Sequence, residues 1–318
     1  MATYTLTQNE DWSDIKASIS SDDDVALAGY TLTLDEEPTL TGIDVTTAGT
    51  AGAVVISGAY DLSTWSFTAG TDSLIAEVPE GCEVGTITAG TATNAHGCDE
   101  NNGTINEAVS GTGSSSSGCL ANYGTIVACN AGSAGGSYSC RDNYGTITTS
   151  NGGSSAGCHG NYRNYGTITT CNGGSGSNGF GCFYNYSTIT TCNGGSVILG
   201  HGCRYNYGII ATCNGGSASG ADGCNVSYGQ VLAAQDSTGD AVGEFRGSIK
   251  FVDGPNFEIA IVCDGDYDPL QTLYVLNGTF AGTLPSSPDP GYDAEVVELF
   301  PIGGGGTPVF GGMVQRRS

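Results

Sequence analysis

The chain has 318 residues, 53 of them Gly, with 32 acidic and 8 basic side chains and a net charge of -24. That charge argues against a surface that grips nucleic acid or anionic lipid, since both need clustered Lys and Arg. No apolar run is long enough to cross a membrane as a helix, and glycine lacks the period of collagen.

Residues 1–24 are read as an N-terminal cap or attachment segment. The start, Met1-Ala2-Thr3-Tyr4-Thr5-Leu6-Thr7, has neither the basic head nor the apolar stretch of a secretory signal, so cytoplasmic folding is expected. Residues 25–80 alternate apolar and polar positions at loose spacing, as in Val25–Leu34, Ile43-Asp44-Val45, Val54–Ser57 and Trp65–Thr68. They are read as degenerate early turns of a repeat, about three by this spacing. Residues 1–80 hold 14 acids and one base, whereas 81–235 hold 6 acids and 3 bases. An uncharged array between acidic ends fits a solenoid whose ends keep it soluble.

Across 81–235 the repeat is plain. Ile105, Ile126, Ile147, Ile168, Ile189, Ile210 and Val231 fall 21 residues apart. Around them runs Asn-Tyr-Gly-Thr-Ile-Thr-Thr-Cys-Asn-Gly-Gly-Ser, followed by a variable Gly/Ser stretch. The β-branched Thr-Ile-Thr-Thr reads as a strand, and Asn-Gly-Gly-Ser must turn. No 3.6-residue period appears. The predicted fold is therefore all-β: a parallel β-helix, or β-solenoid, of 21-residue rungs followed by a small antiparallel β-module. Rungs stacked ~4.8 Å apart would align Asn122, Asn143, Asn164, Asn185 and Asn206 in one column and Asn130, Asn151, Asn172, Asn193 and Asn214 in another, able to hydrogen-bond along the stack. The seven regular rungs would span roughly 35 Å.

Cysteine occupies two columns. One holds Cys98, Cys119, Cys140, Cys182, Cys203 and Cys224; Asn161 stands in it at the rung of Ile168, where the cysteine is displaced to Cys158. The other holds Cys129, Cys171, Cys192 and Cys213. Because Cys98, Cys140 and Cys224 face Ala108, Ser150 and Ala234, the two columns do not pair as obligatory disulfides. Reduced thiols acting as small core fillers are expected, which fits a reducing compartment. Metal binding is not expected, because Cys-x-x-Cys is missing and His96, His159 and His201 are read as lying in different columns. No cofactor is expected.

An enzyme on this scaffold would need carboxylates gathered on one face. Glu83, Asp99, Glu100, Glu107, Asp142 and Asp222 are spread over different rungs, so the chain is read as non-enzymatic. The outward Tyr column, above all Tyr144, Tyr165, Tyr186 and Tyr207 with Tyr184 and Tyr205 nearby, is a candidate platform for a sugar or a partner. The outward Thr-x-Thr positions, complete at Thr146/Thr148, Thr167/Thr169 and Thr188/Thr190, resemble the ice-binding face of insect antifreeze proteins.

Residues 236–300 carry strand-like runs between Gly, Pro and Asp turns and are read as the β-module. Asp264, Asp266 and Asp268 have calcium-like spacing, a weak candidate because the loop lacks the Gly and the closing Glu of an EF-hand. Residues 301–318 form a Gly-rich tail with a candidate docking peptide of Val309, Phe310, Met313, Val314, Arg316 and Arg317.

The unit Asn-Tyr-Gly-Thr-Ile-Thr-Thr-Cys-Asn-Gly-Gly resembles the GLUG-type Gly-rich repeats of bacterial surface proteins, with Gly-Cys where that family has Gly-Leu-Val-Gly. The whole organisation resembles tailed-phage β-solenoid fibre, spike and head-decoration proteins. That resemblance implies a structural rod, located in a virion or an extracellular assembly, whose ends make the specific contacts. The implied partners are other copies of the chain, virion structural proteins and a host surface glycan, with no nucleic acid and no membrane insertion. A self-assembling extracellular filament or surface-layer subunit is the alternative, and a glycan- or receptor-binding module using the Tyr column is another.

Overall fold

The computed structural model describes residues 2–47, 51–132 and 135–235, together with the strands Val242–Phe245, Ser248–Asp253, Leu273–Leu276, Ala294–Pro301 and Phe310–Arg316. The chain is a two-sided β-solenoid. Strands alternate between a 16-stranded sheet and a 12-stranded sheet, so each rung gives one strand to each. In the regular rungs a strand such as Thr167–Asn172 lies in the longer sheet and one such as Cys182–Asn185 in the shorter. A Gly/Ser-rich loop joins the first to the second, and a two-residue Tyr-Gly or Tyr-Ser turn joins the second to the next rung.

Pairing is parallel and in register, Ile147 on Ile168 on Ile189 and Asn143 on Asn164 on Asn185. The inward column of Ile105, Ile126, Ile147, Ile168, Ile189, Ile210 and Val231 is fully buried, and so are the cysteines beside it. Ile168 and Cys171 both face inward although three residues apart, so simple alternation breaks within each strand. The same break occurs between Cys182 and Asn185. It leaves two adjacent residues, Phe183 and Tyr184, on the outer face.

The first amide column is a continuous buried ladder. Each Asn Nδ2 from Asn101 to Asn185 donates to Oδ1 of the next rung's Asn at 2.7–2.8 Å, and Asn206 ends the series on Ser227 Oγ at 3.0 Å. Most of these amides also donate to the backbone, as Asn164 does to Thr188 O at 3.2 Å. The buried Oδ1 of Asn101 has no partner, because the position below it in the column is Val78. The second ladder runs the other way. Asn151, Asn172, Asn193 and Asn214 each donate to the preceding rung at 2.7–2.8 Å, and Asn130 closes on Glu107 Oε1 at 2.6 Å. The two rows of amide dipoles therefore oppose each other.

The turn column of Gly103, Gly124, Gly145, Gly166, Gly208 and Gly229 is interrupted only at Ser187. A Cβ on Gly145 would meet the Gly124 carbonyl oxygen of the rung below, so close stacking is what requires glycine there.

The strands from Asp24–Ala26 to Ile75–Val78 form three looser rungs in which the core changes from Cys and Asn to bulky apolar groups. Trp12 and Trp65 pack edge to face at 5.0 Å, and Trp65 Nε1 donates to Leu40 O at 2.9 Å. Thr3–Thr5 and Glu10–Asp11 add a strand to the start of each sheet. The short helix Trp12–Ile15 buries Trp12 and Ile15 against the first core layer.

Beyond Gln235 the 21-residue spacing ends, yet parallel stacking continues. Val242–Phe245 pairs with Cys224–Ser227, Ser248–Asp253 with Gln230–Gln235, and Leu273–Leu276 with Ser248–Asp253. Antiparallel pairing begins only with Phe310–Arg316, which lies between Leu273–Leu276 and Ala294–Pro301. The parallel array thus reaches into the region read from sequence as the β-module. Strand pairing carries on there although the connecting segments change length.

Candidate binding face

The described cysteines are free thiols, all buried. The two columns meet across the core: the Cys171 thiol contacts those of Cys182 and Cys192. Burial pushes the Cys129, Cys171, Cys203 and Cys213 thiols well above their ordinary range, which keeps them protonated and unreactive.

The histidines correct the sequence reading. His96, Ser117, Tyr138, His159, Phe180, His201 and Asp222 share one column of the shorter sheet, because the spacings between the histidines are whole multiples of the rung. Ser117, Tyr138 and Phe180 separate them, so no two imidazoles sit on adjacent rungs. His159 stacks on Phe180 at 4.9 Å, and Phe180 on His201 at 5.4 Å. Each Nδ1 accepts a backbone N–H from the next rung, Phe180 N at 3.4 Å for His159 and Asp222 N at 3.1 Å for His201. For His159 that places the ring proton on Nε2, whereas His201 Nδ1 also lies 3.3 Å from Asp222 Oδ2. Burial, aided by the nearby Arg204 charge, lowers His159 to about 3 and His201 to about 4, so both are neutral at physiological pH.

The Tyr column stands where the sequence places it. Tyr123, Tyr144, Tyr165, Tyr186, Tyr207 and Tyr228 form a ladder with ring centroids 4.9–5.3 Å apart and planes within 11° of parallel. Tyr144, Tyr165, Tyr186 and Tyr207 remain 43–47% exposed. Stacking covers the ring faces, so the ladder presents ring edges and a row of hydroxyls at the rung repeat. Partial burial and the adjoining phenols raise the Tyr186 and Tyr207 hydroxyls above their ordinary range, so they stay protonated.

Beside the ladder lies a second aromatic group that sequence reasoning recognised only in part, through Tyr184 and Tyr205. The outer positions of the shorter sheet read Asp99, Leu120, Arg141, Tyr162, Phe183, Arg204 and Asn225 in one column, and Glu100, Ala121, Asp142, Arg163, Tyr184, Tyr205 and Val226 in the next. All three Arg residues of 81–235 stand here. Tyr184 bridges the two groups, stacking on Tyr205 at 5.4 Å and on Tyr186 of the ladder at 6.0 Å. Tyr162, Phe183 and Tyr184 are mutually tilted by 47–75°, so their faces are not mutually covered as those of the ladder are. Arg163 pairs with Asp142 at 3.3 Å, and Arg141 with the same carboxylate at 3.8 Å. Arg204 lies over the rings of Phe183 at 4.9 Å, Tyr205 at 5.1 Å and Phe180 at 5.3 Å. Among the described residues it has no carboxylate partner. The usable sequence signal was variation: these columns change from rung to rung while the inward ones repeat.

The longer sheet turns exposed Thr146, Thr148, Thr167, Thr169 and Thr190 outward, with Thr188 half-buried. A shallow groove of about 610 Å³ runs along the loop edge, lined by the Asn-Gly-Gly-Ser segments of successive rungs. Of the tail residues, Phe310, Met313, Val314 and Arg316 belong to the strand Phe310–Arg316, while Val309 and Arg317 lie outside the described residues. Asp264, Asp266 and Asp268 also lie outside them. Comparison with family models, with curated proteins and with solved structures finds no match for this chain.

Proposed function

We propose that this protein is a non-enzymatic structural rod, a β-solenoid of the kind a virion appendage uses, whose repeats act as a spacer between contacts made at its ends. The observation that carries this reading is registry. The Ile column and two opposed Asn ladders run through the same rungs, so each rung is tied to both neighbours by backbone and side chains. Such an array is stiff and modular, and rungs can be added or removed without changing the ends. The virion setting rests on the architectural resemblance. A second reading, a self-assembling filament, draws on the open edges of the two sheets, where Thr3–Thr5 and Ala294–Pro301 are outermost in the longer one.

Negative-stain microscopy with mass determination separates these readings, comparing the full chain with a form lacking residues 144–185. The appendage reading expects discrete rods of fixed copy number, shortened by ~10 Å in the deletion form at ~4.8 Å per rung. Open-ended filaments of the full chain would transfer the function to the second reading.

A further inference from the structure

The repeat supplies its own control for what the fold requires. Positions that hold the solenoid together recur in nearly all the regular rungs: Ile inward, Asn in two ladders, Gly at the turn, Tyr in the stacked column. The outer columns of the shorter sheet do not recur. Over successive rungs they pass from Asp99-Glu100 and Leu120-Ala121 to Tyr162-Arg163, Phe183-Tyr184 and Arg204-Tyr205. Stacking alone would favour one repeated residue, as the Tyr ladder shows. A cluster of different aromatic and guanidinium groups on adjacent rungs is what a recognition surface contains.

We propose that the strip of Tyr162, Phe183, Tyr184, Arg204 and Tyr205 binds an extended, sparsely acidic polysaccharide lying along the solenoid axis. The chemistry divides between the two aromatic groups. Tyr162 and Phe183, each half-buried with a guanidinium over one face, offer their remaining surface to the apolar C–H surfaces of sugar rings, while the Tyr ladder offers hydroxyls at a constant ~5 Å step. A ligand built of repeating units meets a repeating row; the irregular surface of a globular partner does not. Arg204 supplies the charge preference. Asp142 engages Arg141 and Arg163, whereas Arg204 lies over the Phe183 and Tyr205 rings with no carboxylate partner among the described residues. Its planar fork matches a carboxylate in bidentate fashion. One such cation suits a polymer with well-separated carboxylates and is too few for the closely spaced phosphates of a nucleic acid. The proposal holds whether the rod is an appendage or a filament subunit.

The test is affinity electrophoresis of the full chain in gels containing hyaluronan, gellan, carboxyl-reduced hyaluronan or dextran. Arg204→Gln, Tyr205→Ala and, on the opposite face, Thr169→Ala are run beside the parent after circular dichroism confirms their fold. Retardation by a carboxylated polymer is expected, with affinity reduced about tenfold or more in Arg204→Gln and in Tyr205→Ala. It should be unchanged in Thr169→Ala and lost on the carboxyl-reduced polymer. Absence of retardation by either carboxylated polymer, or equal retardation of parent and Arg204→Gln, overturns the proposal. A change in sedimentation mass on Arg204→Gln without any polysaccharide effect overturns it too, and assigns the strip to a protein interface.

Discussion

Leu199 sits in a column where every rung bends into the left-handed region. Asn94, Ser115, Gly136, Gly157, Asn178 and Gly220 hold φ between 57° and 76° there, and Leu199 has φ 64°. Small or amide side chains tolerate that conformation, but a branched apolar one strains it by roughly 1–2 kcal/mol. Leu199 also leaves 42% of its surface exposed, so burial offsets little of the cost. Leu199→Asn, the residue found one rung earlier at Asn178, is expected to raise stability by about 0.5–1 kcal/mol in urea unfolding; a lowered midpoint would mean that Leu199 makes a compensating contact. Asn164 is the opposite case. It accepts from Asn143 and donates to Asn185, at 2.7 and 2.8 Å, in a fully buried column. Asn164→Leu leaves a buried donor on one side and an acceptor on the other, costing roughly 2–5 kcal/mol, against about 1 kcal/mol for an ordinary hydrogen bond. A loss under 1 kcal/mol in the same assay would show that the ladder contributes little to stability.

At the scale of one column, the histidines make the shorter sheet sensitive to acid. An unfolded imidazole titrates near 6.5, while burial and the Arg204 charge hold His159 near 3 and His201 near 4. Below about pH 6.5 the unfolded chain therefore binds more protons than the folded one. The stability present above that pH is lost progressively as pH falls toward 4. Protonating Nδ1 would also break the bond from the Phe180 N–H. His159→Phe keeps an aromatic ring in a column that already holds Phe180. Its denaturation midpoint is expected to fall less steeply between pH 7.5 and 4.5 than that of the parent, and parallel slopes would refute a buried neutral His159. The strands and their inward faces were legible in the sequence because Ile105 to Val231 repeats like chemistry at a fixed step. The histidine column was missed because Ser117, Tyr138 and Phe180 stand between its members and share nothing with them. The Arg204 strip was missed for a related reason: periodicity identifies what recurs, whereas Tyr162, Phe183 and Arg204 are where the sequence departs from its own repeat.

For the whole molecule, inside and outside are set by register alone. Joining Asn143 to Tyr165 by deleting residues 144–164 removes one repeat and reconnects the two ladders, the Ile column and the turn glycines. Deleting residues 144–163 instead joins Asn143 to Asn164, which puts a second Asn where the stacked Tyr begins. Every following position is then displaced by one residue relative to the rungs below. Because a one-residue slip exchanges the faces of a strand, Ile168 and Cys171 would turn toward solvent and Thr167 and Thr170 toward the core. The chain could avoid this only by bulging the extra residue out of the two-residue turn, where Gly166 would have to stack on Gly124 as closely as Gly145 does in the parent, leaving little room. The 21-residue deletion is therefore expected to unfold cooperatively with a midpoint within a few degrees of the parent, since it removes interactions and chain entropy in proportion. The 20-residue deletion is expected to lose cooperative unfolding or to aggregate. Differential scanning calorimetry of the two forms decides the matter, and similar transitions in both would mean that the loops, rather than the stacked columns, set the register.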